Sequence, residues 1–244
     1  MKPVTHTASL YVSVGSPWEI YRTRHQITEG RIIDIYTKSG SVGEYNAQLI
    51  LIPDYGIALS ILVAGSGAPI NIAFEVVLQS LIPVLEEMTL DQACKQLCGT
   101  YESSQRDLNS SVTISTDAAG LYLSRWVNRG VDIEAVIQAY SAQTGNRPIK
   151  AIQLQATNLQ ESAGTSHIGQ SARRVAYRAL FDMTIEDPNG LPRIIDPNAG
   201  QWGSVDSNMY GEISVNDFVV HLGANGTAVM LEPRIVRDVL RRVR

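Results

Sequence analysis

Lysine is scarce in this chain: Lys2, Lys38, Lys95 and Lys150 are the whole set among 244 residues. Positive charge rests on arginine, and the balance is −4 with a pI near 5.6. That excludes the broad basic field that draws nucleic acid or an anionic membrane surface. Cysteine stops at two, Cys94 and Cys98, which is too few for a disulfide framework. In a helical stretch they share a face, and regular helix geometry there favours free thiols over a bridge. The histidines His6, His25, His167 and His221 are scattered, no two at metal-ligand spacing, so no metal site is expected. Neither a Gly-rich phosphate loop nor a dinucleotide fingerprint occurs, so no cofactor is expected. No apolar run approaches the roughly 18 residues of a membrane span. The start, Met1-Lys2-Pro3 running into Thr5-His6-Thr7, has no apolar signal core. The expectation is a soluble, cytoplasmic protein.

What is present is a foldable chain. Apolar residues make up 44% and charged residues 18%, enough to build a core without wholesale disorder. Residues 13–21 are apolar but broken by Pro17. Residues 32–38 (IIDIYTK) are rich in β-branched and aromatic side chains, as strands are, and Ser39-Gly40-Ser41-Val42-Gly43 reads as a flexible turn. Residues 45–52 and 57–64 read as strands joined through Pro53-Asp54-Tyr55-Gly56. This is an antiparallel hairpin whose second strand is nearly all apolar and expected to be well buried. After a linker over 65–69, Asn71 is a candidate cap for a helix reaching Met88, which Pro83 would kink or end.

From Leu97 the pattern changes to short strands divided by Asp, Asn and Gly: 111–115, 121–127, 149–156, 175–185, 212–214, 218–222 and 228–231. Asn225-Gly226 marks a tight hairpin. Residues 131–140 have helical spacing, and 229–240 is read as ending in a short helix. The basic cluster Arg237, Arg241, Arg242 and Arg244 is read as the solvated face of that last helix. The small polar segment 161–171 is read as a loop. The predicted fold class is α+β: an antiparallel sheet backed by a helix over 1–90, and a β-rich, barrel-like or sandwich domain over 97–244.

One stretch carries chemistry. In Tyr36-Thr37-Lys38-Ser39-Gly40 a lysine ends an apolar strand and is followed by a hydroxyl residue and a glycine. The ammonium can fix a carboxylate, the hydroxyl can bind the same group, and glycine lets a ligand lie against the strand edge. Upstream stands Gly15-Ser16-Pro17-Trp18-Glu19-Ile20, and downstream Gly43-Glu44-Tyr45 leads into LILIPDYGIALSILVAG. In this order the segments resemble the serine β-lactamase-like, penicillin-recognising family, in particular its fungal type with a β-rich C-terminal domain opening on Gly-x-Tyr, here Gly99-Thr100-Tyr101. The resemblance is to the C-terminal half of that family and implies a partial β-lactamase/transpeptidase-like sheet. It places a ligand site at Trp18, Glu19, Tyr21, Tyr36, Lys38, Ser39, Gly40 and Tyr45, with Lys38 as the candidate catalytic cation and Glu19 paired to an arginine such as Arg22.

The same family needs a Ser-x-x-Lys, giving a nucleophile with a base one helical turn away. None occurs in this sequence, and Ser214-Val215-Asn216, which has the letters of the family's Ser-x-Asn element, lies far past Lys38 in the β-rich part. The expected function is therefore a degenerate or truncated family member that binds a ligand or partner without serine-hydrolase activity. Two alternatives remain at this point: a secondary-metabolite enzyme performing non-covalent cyclisation or isomerisation, and one half of a split hydrolase. The ligand expected is a small hydrophobic or carboxylate-bearing molecule. A sheet stripped of its covering lobe is expected to form a homo-oligomer or bind a partner chain. Asp117, Asp182 and Asp187 fall at turns or strand surfaces, and Trp126 and Trp202 read as packing residues.

Overall fold

A computed structural model describes residues 3–9, 11–24, 32–65, 69–143, 148–162, 173–183, 203 and 205–243. Its chain divides into two compact units, Met1–Asp91 and Gln92–Arg244. Among the described residues no helix is long and apolar enough to cross a membrane.

The first unit holds strands β1 (Thr5–His6), β2 (Val12–Val14), β3 (Glu19–Arg24), β4 (Ile32–Val42), β5 (Tyr45–Ile52) and β6 (Ile57–Ala64), paired in sequence order and all antiparallel. Helix α1 (Ile70–Leu97) follows, and the division between the units falls within it. Strand alternation sends Ile33 and Ile35 of β4, with Ile50 and Ile52 of β5, to one face. There they meet Leu78 and Ile82 of α1, with Phe74, Leu59 and Ile61 packed against the cluster. Positions 74, 78 and 82 are four apart and form one stripe of the helix. Glu86 continues that stripe and is buried; the Tyr55 hydroxyl donates to its Oε1.

Three readings of this unit need correction. Strand β4 does not stop at Lys38: Ser39, Gly40, Ser41 and Val42 pair with Gln48, Ala47, Asn46 and Tyr45, so the turn is Gly43-Glu44. Gly43 has φ +59°, which a tight two-residue hairpin demands and glycine supplies at least cost. Strand β6 is half buried rather than well buried, with alternate residues exposed, because it is the last strand of the sheet and α1 backs one face only. Helix α1 starts at Ile70, which puts Asn71 inside its first turn, and it runs through Pro83 to Leu97. The apolar stripe before Pro83 and the Tyr55–Glu86 hydrogen bond after it hold the helix to the sheet across the missing N–H.

In the second unit come β7 (Gly99–Ser103), β8 (Ser111–Asp117), β9 (Gly120–Asn128), β10 (Val131–Asp132), helix α2 (Ile133–Gln143), β11 (Ile149–Ser162), β12 (Arg173–Met183), the two-stranded pair β13 (Met209–Tyr210) and β14 (Ile213–Ser214), then β15 (Asp217–Leu222), β16 (Ala228–Pro233) and β17 (Leu240–Arg242). The sheet order is β10-β9-β11-β12-β15-β16-β17-β7-β8, and β8 pairs again with β9. Between β9 and β11 the register holds a single pair, Gln153 with Tyr122. The core includes Tyr101, Trp126, Ile152, Phe218, Val220 and Leu231, with Trp126 set edge-on to Phe218 at 5.1 Å. The Tyr101 hydroxyl donates to Leu97 O at 2.6 Å.

The terminal segment differs from its reading. A short 3-10 turn (Arg234–Val236) is followed by strand β17, not by a helix. Leucine and arginine are good helix formers, but pairing with β16 and β7 overrides propensity here. Arg242 accordingly leaves the solvated cluster. Its guanidinium donates to the carbonyls of Gln96 at 3.2 Å, Ala228 at 3.3 Å and Cys98. Cys94 and Cys98 form a disulfide, against the expected free thiols. Helix α1 ends at Leu97, so Cys98 is no longer helical, and the Cα atoms approach to 4.6 Å, within reach of a bridge. Most of the segment read as a loop over 161–171 lies outside the described residues, as do Asp187, Trp202, His25 and His167.

Candidate functional site

The candidate site lies where β3, β4 and β5 run side by side in the first unit. Ile33, Ile35 and Thr37 of β4 point to the helix side, so Tyr36, Lys38 and Gly40 point to the other. Thr37 is buried and its hydroxyl donates to the Glu19 carbonyl at 3.1 Å, tying the middle of β4 to the start of β3. That tie brings Glu19 next to Lys38: Nζ donates to Glu19 Oε1 at 3.2 Å and to the Ser39 carbonyl at 3.2 Å. Both side chains are partly open to solvent, so the pair is a weak and exchangeable contact.

Glu19 therefore pairs with lysine and not with Arg22. Arg22 instead meets Asp34, its cross-strand neighbour, at 3.0 Å. Tyr36 is buried in the same row, and burial pushes its hydroxyl pKa up, helped by the charges of Asp34 and Asp54 and opposed by Arg22. Trp18 is half-buried in the turn before β3. Tyr45 pairs with Val42 at the hairpin end, on the face of Lys38 and Gly40. Two predicted residues stand apart: Tyr21 lies on the helix side with its ring 6.3 Å from Phe74, and Ser39 alternates to that side too.

Sequence reading missed the apolar half of this face. A shallow hollow of about 480 Å³ lies beside the strand end, with Gly40, Val42, Tyr45, Ala47, Leu62 and Ala64 among its lining. Val42 is 80% exposed, Leu62 76%, Tyr45 70% and Leu49 41%. Such clustered exposure of large apolar side chains marks an interaction surface more often than a plain solvated one. The signal was present in IALSILVA, but a nearly all-apolar run does not reveal which alternate residues the sheet leaves open.

A serine hydroxyl meets an imidazole on the first two strands of this unit. His6 Nδ1 lies 3.0 Å from Ser13 Oγ, and the two are cross-strand partners of β1 and β2. Ser13 is buried. In the second unit, Ser214 and Asn216 are a local structural pair: Ser214 Oγ donates to Asn216 Oδ1 at 3.1 Å, and Asn216 Nδ2 donates to Ala179 O at 2.5 Å. This satisfies both buried side chains. His221, 2% exposed, sits with Nε2 3.3 Å from Glu232 Oε2. Among the described residues no group of three His, Cys, Asp or Glu could hold a metal ion.

Comparison with known proteins adds the ancestry. The chain is 30% identical to "Probable hydrolase M10" of Phoma sp. over 51% of its length and 22% of that protein's. It is 32% identical to "Beta-lactamase-like protein" of Arthroderma benhamiae over 55% of its length and 22% of the relative's, and 29% identical to "Probable hydrolase clz13" of Cochliobolus lunatus over 51% and 21%. The match thus takes in little more than a fifth of each relative. No solved structure matches the chain. The family described as "Beta-lactamase-like-like, C-terminal domain" matches residues 89–244, more than half of the chain. With that match, the chain belongs to the β-lactamase-like family through its C-terminal domain.

Proposed function

We propose that the chain is a binding module of the β-lactamase-like family that works without acyl-serine chemistry. The observation that carries this reading is the open sheet face of the first unit. A row of exposed apolar side chains, Val42, Tyr45, Leu49 and Leu62, runs beside the Lys38–Glu19 pair, and no Ser-x-x-Lys stands anywhere in the sequence. The occupant favoured is a second copy of this chain. Each copy offers an apolar strip bordered by one cation and one anion, which can complement itself across a two-fold axis. Lys38 then exchanges Glu19 for a carboxylate of the partner surface or of a small ligand.

Sedimentation velocity over a micromolar range tests the reading. Concentration-dependent dimers are expected, and Leu62→Glu should weaken association at least about tenfold. A sedimentation coefficient that stays that of a single chain at every concentration contradicts it.

The names of two relatives favour a second reading: the chain supplies the sheet of a hydrolase whose nucleophile is carried on another polypeptide segment. In that case Leu62→Glu should abolish activity gained on mixing with that segment.

A further inference from the structure

Two stretches of the second unit spell Asn-x-Ser/Thr: Asn109-Ser110-Ser111 and Asn225-Gly226-Thr227. That pattern is the acceptor of N-linked sugar in secreted proteins, and it needs a surface position with room for a bulky polar group. Cys94 and Cys98, the chain's two cysteines, are joined in a disulfide. Such bonds form and persist in oxidising compartments, the secretory route among them, and are rare in the cytosol. The two observations are independent and point to the same compartment.

The fold separates the two acceptors. Asn225 stands in the turn of the hairpin between β15 and β16 and is exposed. Gly226, at φ 78°, completes that turn, and its N–H donates to Gly223 O at 3.0 Å. The Asn225 side chain closes an Asx turn, its Oδ1 accepting from Thr227 N at 3.1 Å. Only the oxygen of an amide accepts an N–H, so this donor fixes which arm is which. Oδ1 is the arm against the hairpin, since a Cβ on Gly223 would lie 3.3 Å from it. The Nδ2 arm is therefore the one turned away, and the Asx turn holds the hydroxyl residue Thr227 beside it. Asn109 is placed differently. A Cβ on Gly130 would lie 3.4 Å from its Nδ2, Ser110 is buried, and Ser111 is paired with Glu102 on one side and Val127 on the other. A sugar there would displace the 128–130 turn.

We propose that Asn225 carries an N-linked glycan, added as the chain passes through the secretory pathway. In the transfer, Nδ2 bonds to the anomeric carbon of a lipid-diphosphate-linked oligosaccharide. The bond from that carbon to the diphosphate oxygen breaks, the lipid diphosphate leaves with the electron pair, and one Nδ2 proton is lost to solvent. Oδ1 and its bond to Thr227 N are untouched, so the hairpin accepts the sugar without rearrangement. A secretory route departs from the cytoplasmic expectation, which rested on the chain's first residues. The proposal does not rest on what the open sheet face binds.

The test is peptide mass spectrometry after N-glycosidase digestion in heavy-oxygen water, which turns each glycosylated asparagine into labelled aspartate. It is applied to the full chain captured from the cells that make it, and to the full chain secreted from yeast behind a fused leader. Both should show the label at Asn225 and none at Asn109. Asn225→Gln and Thr227→Ala should lose the gel-mobility shift of one glycan, while Thr227→Ser keeps it. The two Thr227 variants decide the matter if Asn225→Gln fails to fold. An unlabelled Asn225 in either preparation, a label at Asn109 in its place, or a mobility shift that survives Thr227→Ala would overturn the proposal.

Discussion

Glu232 and His221 show how a single buried pair sets a pH response. The hydrogen bond from His221, together with its charge, holds the Glu232 carboxyl below its ordinary 4.5, against the opposing effect of burial. A lowered folded-state pKa contributes stability that is present above the unfolded value and lost as pH falls through the folded one. Glu232→Gln should therefore cost about 1 kcal/mol near neutral pH. Its difference from the parent should vanish in acid, as measured by denaturant titrations across that window. Tyr101 works at the other extreme. Burial raises its hydroxyl to about 12 from 10.0, against the pull of Arg242. Stability tied to it is complete below the unfolded value and is lost as pH rises toward about 12. Tyr101→Phe should flatten that alkaline loss while costing about 1 kcal/mol at neutral pH through the hydrogen bond to Leu97. Both expectations are checked by the pH dependence of unfolding. Little of this was legible in the sequence. His221 alternates with apolar residues in a way that fits a surface or a core site equally, and its partner follows from the pairing of β15 with β16. The Lys38–Glu19 contact is of the same kind, since it depends on the register of β3 against β4.

Among the elements, those announced by turn chemistry were the readable ones. Pro53 to Gly56 and Asn225-Gly226 sit where the sequence puts them, between β5 and β6 and between β15 and β16. Elements whose state depends on distant partners were misread. Strand β17 is helical by propensity and a strand by pairing, and α1 outruns both its expected end and its internal proline. Arg242 follows from the first of these: on a strand it reaches the carbonyls of Gln96, in the last turn of α1, and of Cys98 just past it, where a cation also meets the negative end of the helix dipole. Arg242→Met should destabilise the second unit by about 2 kcal/mol, measured by chemical denaturation. Pro83→Ala should act the other way. Restoring an interior N–H in α1 should raise the stability of the first unit by about 1 kcal/mol.

At the scale of the whole molecule, the sequence carries two main sheets of different standing. The β-rich second unit has a core of its own and the family match. The first unit keeps the mid-strand Lys38–Glu19 pair and an apolar face open, with a hydroxyl–imidazole contact, Ser13 with His6, among its described hydrogen bonds. On the function proposed above, this contact is a cross-strand tie and no serine of the chain serves as a nucleophile. Intact mass after incubation with a fluorescent penicillin measures this most directly. The predicted result is an unchanged mass at all times, with no label after denaturation. A mass gain of one opened β-lactam, mapped by peptide digestion to Ser13 or to any other serine, would contradict it.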